Sequence, residues 1–583
     1  MHLQMIDWVL LISYFVLAIV IGSLFTKKAG KSLTDYFVSG RSLPWWLAGT
    51  SMVATTFAAD TPLAVAGMVA NHGVAGNWLW WNMVMSGILT VFVFAKLWRR
   101  SGVITDIEFT ELRYSGRAAA FLRGFRALYL GLPINLIIMG WVTLAMAKIL
   151  GITLGMGKWE AVGVCLVITM VYSTLGGLWG VVVTDFIQFF IAMAGAVILA
   201  IFATHAVGGI PGLKQQLTLH YGSSAAVLSF VPKIGSIWMP MITFFVYLSV
   251  NWWATWYPGA EPGGGGYIAQ RIFSAKNEKH SVLATLWFNI AQYALRSWPW
   301  IIVGLAAMVL YPNLADKESG YVKVMVDYLP SGWIGLMMAG FAAAYMSTIS
   351  TQLNWGSSYL VNDFYRRFLN KNASEKHYVW ISRLATILLL ALAAIVTHYM
   401  GSIEKAWKFL LAIGAGTGSV YILRWFWWRI SAWSEIAAMT ASFVVSLLLQ
   451  YVFHLNNSNP YQFAQILLIT VAISTVVWLA VTFLTSPEEE SVLIHFYKKV
   501  HPGGGLWASI PQKAGIPVPK GIISRDLLDW LFGIILIYTS LFGIGKFVLG
   551  EYGTGFLFLA GAAVSGAFIY RDLSRRGWEK VAE

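Results

Sequence analysis

The run Ala344-Tyr345-Met346-Ser347-Thr348-Ile349-Ser350-Thr351-Gln352 crowds hydroxyl side chains into a short apolar stretch. At about 100° per residue, Ala344, Ser347, Thr348, Ser350 and Thr351 fall within about 160° of arc, so a helix there presents one hydroxyl-rich face. Hard cations take oxygen ligands, and such a face, with carbonyls from a broken neighbouring helix, can supply them to an alkali ion. The same residues also suit a plainer role, since Ser and Thr in membrane helices bond back to the carbonyl one turn earlier. A second group is Asp60-Thr61-Pro62, in the middle of an apolar stretch with Gly49 and Gly67 on either side. A third is Asn289, Gln292, Tyr293 and Arg296, spaced i, i+3, i+4, i+7 along one helix face. Arg296 falls near the middle of its stretch, where an ionisable residue is a functional candidate by default. Trp80, Trp81 and Asn82 and then Asn251, Trp252, Trp253, Trp256 and Tyr257 add amides and rings. Carboxylate, amide and indole together suit a polyhydroxyl ligand, which needs hydrogen bonds around its rim and an apolar face to stack on. Most of the 29 tryptophans must nevertheless serve interfacial belts or face lipid.

The elements that position these residues follow from composition. Of 583 residues, 58% are hydrophobic and only 11% charged, against about 25% charged in a soluble domain; mean hydropathy is +0.67. Repeated apolar stretches of about 20 residues then predict a polytopic, all-α membrane protein with about fifteen spans. These are 5–25, 44–71, 76–98, 122–150, 158–176, 179–207, 236–257, 280–310, 332–365, 378–400, 402–428, 432–454, 461–485, 526–549 and 552–570. The net charge of +14 needs no nucleic acid, because basic residues collect at the cytoplasmic ends of spans. Lys27, Lys28, Lys31 and Arg41, then Lys96, Arg99 and Arg100, then Arg366, Arg367 and Lys371, and finally Arg575 and Arg576 fall on one side if the N-terminus is outside and the C-terminus cytoplasmic. The first stretch lacks a basic region before it and is expected to stay as a helix. The single cysteine, Cys165, excludes a disulfide framework or a Cys-rich metal site. With no nucleophile–base pair evident, an enzyme is not expected.

Two stretches are interrupted: the second at Asp60-Thr61-Pro62, and the seventh at Pro258 to Gly266. They lie at matching positions in two successive five-helix blocks, the pattern that marks a transporter's midplane site. The Pro258–Gly266 run also fits a plain cytoplasmic loop.

The run from Tyr172 to Gln188, YSTLGGLWGVVVTDFIQ, resembles the sodium:solute symporter family, as do Asp35-Tyr36-Phe37 with Gly40-Arg41-Ser42-Leu43, Met346 to Gln352 with Ser357-Ser358 and Asp363-Phe364-Tyr365, and Gln270-Arg271. The resemblance covers roughly residues 5–455. It implies a LeuT-like five-plus-five inverted-repeat core with helices 2 and 7 broken, and sodium-driven alternating access. It places the main sodium site on the carbonyls of Ala54, Phe57 and Ala344 and the hydroxyls of Ser347 and Thr348. A second sodium, as some members bind, would use Asp185 with Ser347, Ser350 and Thr351. Thr56 stands where proline carriers have an aspartate, so a proline carrier is not expected, and Thr56 joins the substrate candidates Asp60, Thr61, Trp80, Asn82, Asn251, Trp252, Trp256, Asn289, Gln292 and Arg296.

The expected organisation is an extra N-terminal helix and loop (1–43), two five-helix repeats (44–207 and 208–430) and accessory helices (431–583). The expected function is sodium-coupled import of a small polar solute, a sugar before a carboxylate or amino acid, across the plasma membrane (a bacterial inner membrane). Partners are the solute, Na+ and the lipid bilayer, with no nucleic acid and no obligate protein partner. A sensor on the same fold is disfavoured because no output domain follows residue 570. A channel is disfavoured because no rings of polar residues repeat along a pore.

Overall fold

Unpaired backbone N–H and C=O groups are costly in hydrocarbon, so apolar stretches of this length must form helices. In the computed structural model each of them does. It describes residues 3–29, 37–173, 177–255, 263–503, 505–516 and 522–576; Trp256 and Tyr257, Pro258 to Pro262, Asp35-Tyr36 and Thr174 to Gly176 lie outside them.

Leaving aside shorter connecting helices such as Phe109–Arg113, Gly209–Tyr221 and Glu490–Val500, the helices in chain order are α1 (Met5–Ala29), α2 (Trp45–Thr56), α3 (Asp60–His72), α4 (Val74–Ser101), α5 (Gly116–Leu154), α6 (Lys158–Ser173), α7 (Gly177–Ala206), α8 (Met241–Ala254), α9 (Gly266–Ser274), α10 (Glu278–Leu310), α11 (Gly320–Tyr328), α12 (Trp333–Leu369), α13 (Glu375–Tyr399), α14 (Ile403–Gly414), α15 (Gly418–Phe426), α16 (Ala432–Val452), α17 (Pro460–Leu484), α18 (Ile522–Val548) and α19 (Tyr552–Arg576). Among the described residues ten helices are long and apolar enough to cross a membrane, or twelve if each bent pair is one span. The bent pairs are α2/α3, at 58°, and α14/α15, at 48°. The second of these interrupts the stretch expected to be continuous over 402–428, and Gly414, Gly416 and Gly418 mark its break.

Burial separates a centre from a periphery. The most apolar window of α12 is 94% buried and those of α4 and α10 are 83% buried, against 22% for α19. The central helix α12 packs along α7, and α10 packs along both halves of the first broken helix; α1 lies against α7 and α12. The α18/α19 hairpin sits outside this centre but grips it, with Trp530 Nε1 donating to the Met85 carbonyl and Tyr538 to the Trp81 carbonyl of α4.

Two local features reposition the polar residues. α10 loosens into a π turn over Ile290–Leu295, which changes the angular phase of the residues it carries. The start of α2 and the end of α9 are also stitched together. Leu43 N–H donates to the Ser274 carbonyl at 2.9 Å and Lys276 N–H to the Leu43 carbonyl at 3.0 Å.

Candidate functional site

The break between α2 and α3 comes from its sequence. Pro62 has no N–H to give, and the chain leaves helical geometry at Phe57 (φ −85°, ψ 51°). Phe57 N–H turns back to the carbonyls of Val53, at 2.8 Å, and Ala54, at 3.1 Å. Among the described residues none donates to the Phe57 carbonyl. The hydroxyl face of α12 meets this break. Thr348 Oγ1 lies 2.8 Å from the Thr55 carbonyl and 3.0 Å from the Ala344 carbonyl, within donating distance of both. Ser347 Oγ donates to Asp185 Oδ1 at 2.5 Å. With its proton committed to Asp185, the Ser347 oxygen keeps lone pairs for a cation. Thr55 and Thr351 hydroxyls lie 3.3 Å apart, whereas Ser350 donates back to the Ser347 carbonyl, the backbone role its residue type also allowed.

Beside this cluster is a cavity. It is lined by Thr55, Thr56, Asp60, Thr61, Gln292, Arg296 and Thr348, with Trp80, Trp141, Tyr267, Tyr293 and Trp407 among its aromatic walls. Thr56 Oγ1 donates to Gln292 Oε1 at 2.6 Å, and Trp80 stacks on Tyr293 with centroids 5.5 Å apart. Asp60 is 2% exposed and its Oδ1 accepts no hydrogen bond. Arg296, 1% exposed, donates to the Val53 and Gln292 carbonyls, and its guanidinium lies 5.2 Å from the Trp300 ring. Asp60 and Arg296, of opposite charge, line the same cavity.

Of the substrate candidates, Thr56, Asp60, Thr61, Trp80, Gln292 and Arg296 therefore line one cavity, and Asn82, Asn251, Trp252 and Asn289 do not. Asn251 donates to Asn82, which itself donates to the Trp78 and Leu79 carbonyls. Asn289 donates to the Thr285 carbonyl and packs against Gly87, because the π turn puts it out of phase with Gln292. Trp252 lies beside Trp530 of α18. Trp256 is outside the described residues. Tyr267, Trp141 and Trp407 were not singled out; aromatics are so frequent in this chain that nothing in their spacing set these three apart.

An all-helical bundle with an interrupted span opening onto a buried cavity has the architecture of a multi-pass membrane transporter. The family model described as "Sodium:solute symporter family" matches residues 36–444. The sodium/glucose cotransporter of Vibrio parahaemolyticus is 26% identical over 451 residues, 73% of this chain and 81% of that protein. Sodium/glucose cotransporter 1 of Oryctolagus cuniculus is 24% identical over 487 residues, 76% and 71% of the two chains. The solved structure of a Na+-coupled sialic acid symporter, in a substrate-bound outward-open state, superposes with a TM-score of 0.63 at 18% identity, covering 83% of this chain and 99% of that one. The fold is LeuT-like, and the chain belongs to the sodium:solute symporter family.

Proposed function

We propose that the protein is a sodium-coupled symporter that takes up a small neutral polyol, a sugar or sugar-like solute, by alternating access. The observation that supports this is the sharing of Thr55 and Thr348 between the solute cavity and the oxygen cluster at the helix break. An ion held by Thr348, Ser347 and the carbonyls of Ala54, Phe57 and Ala344 would fix the break that carries Thr56, Asp60 and Thr61. Solute binding then gains from sodium binding, and by linkage sodium from solute. The Asp60 carboxylate in the cavity wall favours a hydroxyl donor and repels an anion, while the aromatic walls offer a ring face for stacking. Arg296 on the same wall favours a second reading, a carboxylate solute.

The two blocks 44–207 and 208–430 would be the inverted repeats, with the ion-paired, Arg-rich end of the bundle in the cytoplasm of a bacterial cell. That end carries Arg100 with Glu278, Arg123 with Asp363, and Arg424 with Glu435. Proteoliposomes with an inward sodium gradient should accumulate one labelled sugar from a panel saturably and electrogenically. Equal uptake with potassium replacing sodium refutes the coupling, and uptake of acids alone selects the second reading.

A further inference from the structure

Beneath the helix break, on the side of α2 and α9, three elements converge on Asp185 of α7. Ser51 of α2 donates to its Oδ2 at 2.5 Å, Ser347 of α12 donates to its Oδ1 at 2.5 Å, and Arg271 of α9 approaches Oδ2 at 3.8 Å. Arg271 also donates to the Ser51 hydroxyl at 3.2 Å, to the Thr351 hydroxyl at 2.8 Å and to Gln270 Oε1 at 2.9 Å. Gln270 is held in turn by donating to the Phe37 carbonyl and to Asn354. Asp185, Arg271, Ser51 and Thr351 are all fully buried.

A buried carboxylate needs a cation or several donors, and this one has both. The anionic oxygens that a second sodium would use already face a resident cation and two hydroxyl donors. Asp185 is paired and doubly hydrogen-bonded, the Ser347 proton points at it, Thr351 accepts from the guanidinium, and Ser350 bonds within its own helix. Asp185 and Arg271 balance each other's charge, so a sodium ion entering this buried chamber would bring an uncompensated positive charge.

We propose that the Arg271 guanidinium is the resident cation of this chamber, and that the protein therefore binds one sodium ion and excludes a second. The proposal rests on the symporter reading above and deepens it. Two consequences separate it from a merely structural role for Arg271. Loss of the positive charge should open the chamber to sodium, and loss of the negative charge should leave the sodium count unchanged.

The test counts radiosodium bound per purified chain at saturating sodium, with no solute present. The expected results are one ion in the wild type, one in Arg271→Lys, one in Asp185→Asn, and two in Arg271→Gln, where Asp185, Ser51 and Thr351 are freed. Two ions in the wild type, or one in a folded Arg271→Gln, overturn the proposal. A fall from two to one in Asp185→Asn overturns it by giving the carboxylate to sodium. If Arg271→Gln does not fold, the wild-type and Asp185→Asn counts decide alone. No bound sodium in the wild type refutes sodium coupling itself, and the proposal falls with it.

Discussion

Replacing Asp60 by asparagine removes the charge from the cavity wall and almost none of its volume. Asp60 is buried in the cavity wall with the Trp407 indole beside its carboxylate, and a solute hydroxyl would add a donor to it. A hydrogen bond to a charged group contributes about 1.5–3 kcal/mol, and a tenfold change in affinity is about 1.4 kcal/mol. Asparagine still accepts through its amide oxygen but carries no charge, so Asp60→Asn should raise the KM for solute by about 5- to 12-fold, the roughly 1–1.5 kcal/mol between a charged and a neutral hydrogen bond. The sodium dependence should shift less, because Asp60 is not among the oxygens assigned to the ion. The loss also leaves Arg296 without the opposite charge that lines the same cavity, so the double variant Asp60→Asn, Arg296→Gln should recover part of the thermal stability lost by Asp60→Asn. The assay is initial-rate uptake in proteoliposomes at fixed sodium, with monodispersity and Tm as folding controls. A folded Asp60→Asn protein with KM within about twofold of wild type would show that no solute hydroxyl meets this carboxylate.

Three further outcomes are expected. The double variant Ser347→Ala, Thr348→Ala should raise the half-saturating sodium concentration at least about tenfold, the 1.4 kcal/mol of one lost charge–dipole contact, and unchanged sodium dependence in a folded protein would remove these hydroxyls from the ion site. Gly418→Ala should cost about 1–3 kcal/mol or more, read as a fall in Tm, because the added Cβ would lie 1.8 Å from the Trp253 carbonyl oxygen. Burial pushes Glu111 up, but Arg367 and Arg123 outweigh it and hold the carboxyl below its usual 4.5. The stability from these pairs is present above pH 4.5 and lost as pH falls through the lowered value, so Glu111→Gln should flatten the acid limb of a Tm–pH curve.

The helical architecture was legible because hydrocarbon leaves the backbone no alternative, and hydropathy reports that constraint directly. The α2/α3 break was legible in Asp60-Thr61-Pro62. That of α14/α15 was not read, since glycines in an apolar stretch also serve close packing. Here they do both: Gly416 N–H donates to the Ala254 carbonyl, and Gly418 lies against Trp253. Side-chain facing was legible only where helix geometry is regular. The α12 face needed one angle, 100° per residue, and the spacing of Thr348 to Thr55 and Ala344 agrees with it. The α10 stripe used the same angle across a π turn, which is why Asn289 leaves the cavity while Gln292, Tyr293 and Arg296 stay. Asn82 and Asn251 satisfy each other, and a pairing between residues so distant in the chain has no local signature. Arg271 entered only as part of a family motif, because its charge partner, Asp185, sits on another helix.

The paired backbone bonds between Leu43 and the Ser274–Lys276 segment at the end of α9 have a kinetic consequence. Both half-helices, α2 and α9, close the same end of the bundle, and they share this rung as well as the contacts of Arg271 with Ser51. Neither can swing out alone without leaving buried peptide groups unpaired. They should move as one leaf of a door, so distance probes on the two halves should report a single opening rate and two populations, with no state in which only one half has moved.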